Sequence, residues 1–175
     1  MPSPRTGPDE AVSRMIQQAM RLYDRFGPEM IADPKILALL DSYGSAIDRS
    51  GARMRDVGVV KTCTDCAMHG PGSCCFPGIE EGYDSILLLI NRLMGCCLPD
   101  EPEVDSSCFF VGSQGCKLKA RYYFCLHYLC PRLQDLLGTA GAHDLLATIG
   151  EELAAGWQLE QTIRRWLGRQ AEETG

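Results

Sequence analysis

No stretch of the chain approaches the roughly 18 consecutive apolar residues that a spanning helix needs, so nothing in it is expected to cross a bilayer. No dense run of lysine or arginine stands out either. The formal charge is −6, from seventeen basic and twenty-three acidic side chains. Sequence-independent binding to nucleic acid needs a positive surface that displaces counterions, so that role is disfavoured. The opening residues Met1-Pro2-Ser3-Pro4-Arg5-Thr6-Gly7-Pro8 contain no apolar h-region, which makes the cytoplasm the expected compartment. HExxH, P-loop, GxGxxG and GxSxG patterns are missing, and with them the best-marked enzyme classes. Cysteine is absent before position 63 and after position 130.

Between those positions lie all ten cysteines. A chain of 175 residues is long enough to form one domain and bury a core without covalent staples. In a reducing cytoplasm clustered cysteines point to metal binding or redox chemistry rather than to structural disulfides. The segment opens with Cys63-Thr64-Asp65-Cys66, passes the adjacent pair Cys74-Cys75, and closes with Cys108, Cys116, Cys125 and Cys130. These eight are the candidate metal ligands, a thiolate cage for a metal or an iron–sulfur cluster.

The spacing constrains how each cysteine takes part. In Cys63-x2-Cys66 an intervening turn brings both sulfurs to one site; the following Ala67-Met68-His69-Gly70-Pro71-Gly72 favours a metal loop over a thioredoxin-like pair. Adjacent Cα atoms lie about 3.8 Å apart, short of the usual disulfide range. One member of Cys74-Cys75 is therefore expected to face the site more directly than the other. Cys96 and Cys97 follow an apolar run and are expected to be core filler. Cys125 and Cys130 are five apart, about 140° of rotation on an ideal helix, so an unbroken helix does not present both to one cluster. Gly115 lets the backbone approach closely before Cys116.

Around this segment the periodicity is helical. Val12, Met15, Ile16, Ala19, Tyr23 and Phe26 define one face of a helix from Asp9 to about Phe26, stopped by Gly27-Pro28. Asp33-Pro34 starts a second, through Ile36, Leu40, Tyr43 and Ile47 to about Arg55. The two form an expected hairpin over 9–58, followed by a cysteine-rich core over 61–131. Within that core, Ile86-Leu87-Leu88-Leu89-Ile90 places a buried helix at about Glu80 to Met94. Pro99-Asp100-Glu101-Pro102-Glu103 is a loop, either solvated or open to a basic partner. Helices return over 132–171, with joints at Gly138 and Gly141, a bend at Gly156, and Trp157 and Trp166 in the core. The expected fold is one mostly α domain, with a central loop-containing metal-binding core.

Cys63-x2-Cys66, Cys74-Cys75, and Cys108-Phe109-Phe110-Val111 leading to Gly115-Cys116-Lys117-Leu118 and Cys125 resemble the YkgJ-type family, also called CxxCxxCC proteins. The resemblance spans Cys63 to Pro131 and implies a zinc- or iron-chelating domain, some relatives carrying an iron–sulfur cluster. The family places two residues before its vicinal pair, where this chain has seven, Ala67 to Ser73; the segment from Cys116 to Cys125 lacks the family's proline. The order of cysteines agrees and the spacing differs.

Zinc would most naturally use two C-x2-C knuckles, and one is present. Irregular spacing over a long segment suits a [4Fe–4S] cluster better; Cys130-Pro131 is similar to the cysteine-proline ending of ferredoxin ligands, while the remaining spacing is not a ferredoxin's. The expected function is a cytoplasmic iron–sulfur protein for electron transfer or redox sensing, serving a redox or protein partner not specified by the residues. A structural zinc module for protein–protein contact is the alternative. A cluster- or zinc-dependent enzyme, with His69 or His127 completing an open site, is a third reading, and metal-free thiol chemistry starting at Cys96-Cys97 a fourth. His143 reads as a helix-start residue. Lys117, Lys119 and Arg121 either tune the potential of a negatively charged cluster or are simply solvated.

Overall fold

The computed structural model describes residues 7–69 and 74–173. The chain is mostly helical. Helix α1, Gly7–Ala32, turns at Asp33 into α2, Pro34–Asp56, and α3, Val59–His69, follows. A 3-10 turn, Ile79–Gly82, leads into α4, Ser85–Leu93. Two short strands, β1 (Val111–Gly112) and β2 (Gly115–Cys116), pair antiparallel, and α5, Tyr123–His127, precedes the long α6, Pro131–Glu173.

Local chemistry explains where these elements begin. Asp33 accepts the amides of Lys35 and Ile36 at 2.8 and 3.1 Å, with Pro34 at the first helical position. Asp84 accepts those of Ile86 and Leu87 at 3.0 and 2.8 Å. Each cap satisfies donors that a helix start leaves unpaired and contributes about 1 kcal/mol. The helix expected from Glu80 is thus split: the 3-10 turn ends at Gly82 and the α-helix starts after Asp84.

The expected stop at Gly27-Pro28 is not a stop. Helix α1 continues through Pro28 for another turn, which carries Met30 into full burial; that packing outweighs the one amide donor a proline removes. Helices α1 and α2 touch each other, but α2 packs mainly on α6 and α1 mainly on α4. In α6 the joint is Gly138 alone, at φ 61° and ψ 174°, a backbone region essentially reserved for glycine. Gly141 and Gly156 lie within regular helix.

Two apolar clusters result. The larger joins α1, α2, α4 and the C-terminal part of α6 around Met30, Leu88, Leu89, Phe110 and Trp166. The smaller gathers Met54, Val59, Leu126, Leu133, Leu145 and Ile149, with Cys63 and Cys130 packed against it. Trp166 is core as expected, but Trp157 is 61% exposed. No helix among the described residues is long and apolar enough to cross a membrane.

Candidate functional site: a cavity lined by cysteines

Between the two clusters lies a cavity of about 310 Å³. Cys63, Cys74, Cys75, Cys108, Cys116 and Cys125 line it, so six thiols from five separate segments converge there. Cys63 comes from the middle of α3, Cys74 and Cys75 from the turn before the 3-10 helix, Cys116 from β2 and Cys125 from α5. Backbone hydrogen bonds hold these segments in place: the Cys108 amide donates to the Cys75 carbonyl at 2.8 Å, and the Lys117 amide to the Phe110 carbonyl at 2.9 Å. The hairpin reverses at Gly115, whose φ of +102° suits glycine and few other residues.

The sequence-based ligand set is divided by the fold. Cys66 shares α3 with Cys63, so the pair sits on a continuous helix and not in the loop expected of a metal knuckle. Cys66 does not line the cavity. Cys130 lies just outside it, close enough to Cys63 to raise that thiol's pKa. A break in the chain, not one helix, separates Cys125 from Cys130: α5 ends at His127 and α6 starts at Pro131. Both Cys74 and Cys75 line the cavity, because they sit in a bend where the alternation of an extended strand does not apply. Neither Cys96 nor Cys97 lines the cavity; Cys96 is buried as core filler, whereas Cys97 is exposed and does not fill the core as expected.

The thiols are a soft donor set held in protonated form. Burial pushes Cys63 and Cys125 up to about 11 and Cys108 up to about 12, and it raises Cys116 as well. Cys116 and Cys125 keep accessible area, and both line the cavity. The exception is Cys74, lowered to about 6 by a hydrogen bond donated from the Cys75 thiol, which is itself raised for the same reason. Neighbouring thiols raise one another throughout, Cys125 feeling Cys116 and Cys74, and Cys108 feeling Cys116 and Cys125.

Three residues that spacing arguments overlooked or left open shape the site. Tyr83, 3% exposed, hydrogen-bonds toward the sulfurs of Cys116 and Cys125. Arg121 lies in the cavity wall and lowers the pKa values of Cys63, Cys116 and Cys125; it forms no salt bridge among the described residues. Asn91, fully buried on α4, accepts the amides of Lys119 and Ala120 at 2.9 and 3.0 Å and donates to the Ala120 carbonyl at 2.8 Å, fixing the segment that leads from Cys116 to Arg121. The other two cations are engaged differently, Lys117 with Glu103 at 2.8 Å and Lys119 with the Met94 carbonyl at 2.9 Å. Glu103 therefore belongs to an internal pair, not to a free acidic loop. Of the histidines, His127 and His143 are exposed, His143 inside α6 and not at a helix start; the side chain of His69 lies outside the described residues.

Among the described residues, no three histidine, cysteine or acidic side chains stand close enough to hold a single metal ion. Six thiols share the lining of the cavity of about 310 Å³ with apolar and polar neighbours. No family model, curated protein or solved structure matches this chain.

Proposed function

We propose that this protein holds an iron–sulfur cluster of the [4Fe–4S] type in the central cavity, through four thiolates drawn from Cys63, Cys74, Cys75, Cys108, Cys116 and Cys125, and serves electron transfer or redox sensing. The observation that carries this reading is the convergence of six thiols from five segments on one cavity. Thiolate is the ligand that iron–sulfur clusters take. A tetrahedral zinc with Zn–S of about 2.3 Å draws its four sulfurs tightly together, whereas a cluster spreads its ligands over separate irons. Six thiols around one cavity, no three of them grouped for a single ion among the described residues, support the cluster over the structural zinc alternative. The order of the cysteines supports a place among YkgJ-type proteins, with spacing of its own.

Charge supports it too. A cation taken out of water needs a compensating anion, and Arg121, which makes no salt bridge among the described residues, acts on the thiols as well as on the buried Glu152 carboxyl. A thiolate-bound cluster supplies that negative charge when present. Tyr83 and Arg121 then stabilise charge on the sulfurs through a hydrogen bond and a guanidinium, two features that set cluster potentials.

The test is iron, zinc and acid-labile sulfide in protein purified without oxygen. About four irons with matching sulfide is the expected result. Stoichiometric zinc without iron would overturn it and leave the structural zinc module.

A further inference from the structure

A second cavity, of about 480 Å³, has no cysteine in its wall. Four of its lining residues are aromatic: Tyr43 from α2, Tyr122 and Tyr123 at the start of α5, and Trp157 from α6. Tyr122 and Tyr123 meet edge to face, with 4.6 Å between centroids and 69° between planes, so their rings make a corner and not a flat stack. Trp157 and Tyr123 stay 61% and 58% exposed. Glycine makes room for the other two rings: a Cβ at Gly82 would collide with the Tyr122 ring, and one at Gly156 would come within 2.9 Å of the Tyr43 ring. Gly156 is thus needed for close approach between α6 and α2, where the sequence pattern pointed to a bend.

Charge in the wall comes from Asp84, Glu160 and Arg121. Arg121 reaches the other way. Its guanidinium contacts the Met54 sulfur at 3.5 Å, and Met54 lines the thiol cavity but not this one; the same guanidinium acts on Cys63, Cys116, Cys125 and Glu152. Asp84 and Glu160 share a single arginine, Arg164, which does not line the cavity. Two carboxylates against one guanidinium leave this wall with an excess of negative charge. Asp84 is fully engaged, one oxygen capping α4 and the other taking Arg164. Glu160 is not: both of its contacts with Arg164 fall on Oε1, which leaves Oε2 without a partner among the described residues.

Aromatic faces are the negative part of the ring quadrupole and attract cations, more strongly as water is excluded. An anion would meet those faces and the Glu160 carboxylate, both unfavourable to it. A bare ammonium holds its water tightly, whereas a methylated one presents apolar surface around a positive charge and suits rings set at several angles beside a carboxylate. We propose that the Tyr43–Tyr122–Tyr123–Trp157 cavity binds a methylated ammonium group, with the rings around its methyls and Glu160 Oε2 as its counter-charge. A free small molecule and a methylated lysine of another protein both carry that group. The site stands on its own side chains, whatever the cysteines hold.

The test is calorimetry on the full chain as purified, with choline, its uncharged isostere 3,3-dimethylbutan-1-ol, benzoate, and a short peptide carrying trimethyllysine. Choline or the peptide is expected to bind saturably, about tenfold or more tightly than the alcohol, and benzoate not at all. The tighter of the two methylated ligands identifies the source, a free molecule or a protein side chain. Glu160→Gln leaves Arg164 its pairing with Asp84 and is expected to weaken the methylated ligand about fivefold, with the alcohol unchanged. Trp157→Phe, at an exposed position, is expected to weaken the same ligand about threefold without moving the urea midpoint. Equal binding of the alcohol, unchanged affinity in Glu160→Gln, tighter binding of benzoate, or no saturable binding of either methylated ligand would overturn the proposal.

Discussion

Asn91 and Ala120 are joined by two hydrogen bonds, the Asn91 amide donating to the Ala120 carbonyl at 2.8 Å and its Oδ1 accepting the Ala120 amide at 3.0 Å. A buried side chain thus acts as a strand edge for an irregular segment. Replacing it leaves main-chain groups buried without partners, each costing about 1–3 kcal/mol. Asn91→Ala is expected to destabilise the protein by about 2–4 kcal/mol in urea unfolding and to lower metal content, since Cys116 and Arg121 flank the released segment. Full metal content with unchanged stability would show that the segment holds itself.

Serine substitutions separate the cavity from the wider cysteine set. Metal retention is expected to fall at cavity positions used as ligands and to survive Cys66→Ser, Cys97→Ser and Cys130→Ser. Single substitutions measured by metal and sulfide content decide this. Loss of metal in Cys66→Ser would restore the C-x2-C pair as a ligand unit and contradict its placement outside the cavity.

Thiol titration gives a second signature. In metal-free protein Cys74 is the thiol held low, at about 6, while Cys63, Cys108 and Cys125 are pushed up to about 11–12. The thiolate is the nucleophile. Iodoacetamide labelling followed by peptide mapping is therefore expected to mark Cys74 first between pH 6 and 8 and the other three at alkaline pH. Metal loading at pH 7 is expected to release protons from the raised thiols, because ligands bind deprotonated. Calorimetry in buffers of differing ionisation enthalpy would reveal a proton count near zero if the ligands were already ionised.

Glu152 is wholly buried. Ser50 donates to its Oε2, and its Oε1 has no partner among the described residues. Burial raises its pKa above the usual 4.5, with Ser50 and Arg121 pulling the other way; Tyr43 faces the same carboxyl. A folded-state pKa above the unfolded one means the native state binds the extra proton. Its stabilisation is complete below about 4.5 and lost as pH rises through the raised value. Glu152→Gln keeps the shape without the ionisation. It is expected to gain stability relative to the parent chain at neutral pH, by about 1–3 kcal/mol, and to flatten that pH dependence. Parallel stability–pH curves for the two proteins would contradict this.

The helices were legible because their signals are local. Asp33-Pro34 and the apolar spacing after it depend on neighbours a few residues away, and the structure follows them. The stop at Gly27-Pro28 misled because Met30, beyond it, is buried by elements distant in sequence. Trp157 misled for the opposite reason, its apolar ring held outward at a cavity. Within the site, the cysteines themselves marked the region. Which of them meet was not legible, since C-x2-C reads alike on a loop and on a helix. Tyr83 and Asn91 carry no motif and act through residues some thirty positions away. Only Gly115, next to Cys116, carried a local sign of its role.

The five segments that supply the cavity's thiols are spread from Cys63 to Cys125, and no two neighbouring turns of one helix contribute a pair. Bringing such ends together has an entropic cost that grows with the length of chain between them, and contacts of that kind form late. The cavity therefore depends on the packing of the whole domain, since α1 and α4, which pack together, are themselves as far apart in sequence as Cys63 and Cys125. A metal held there, as proposed, would be held by the assembled fold and by no single stretch of the chain.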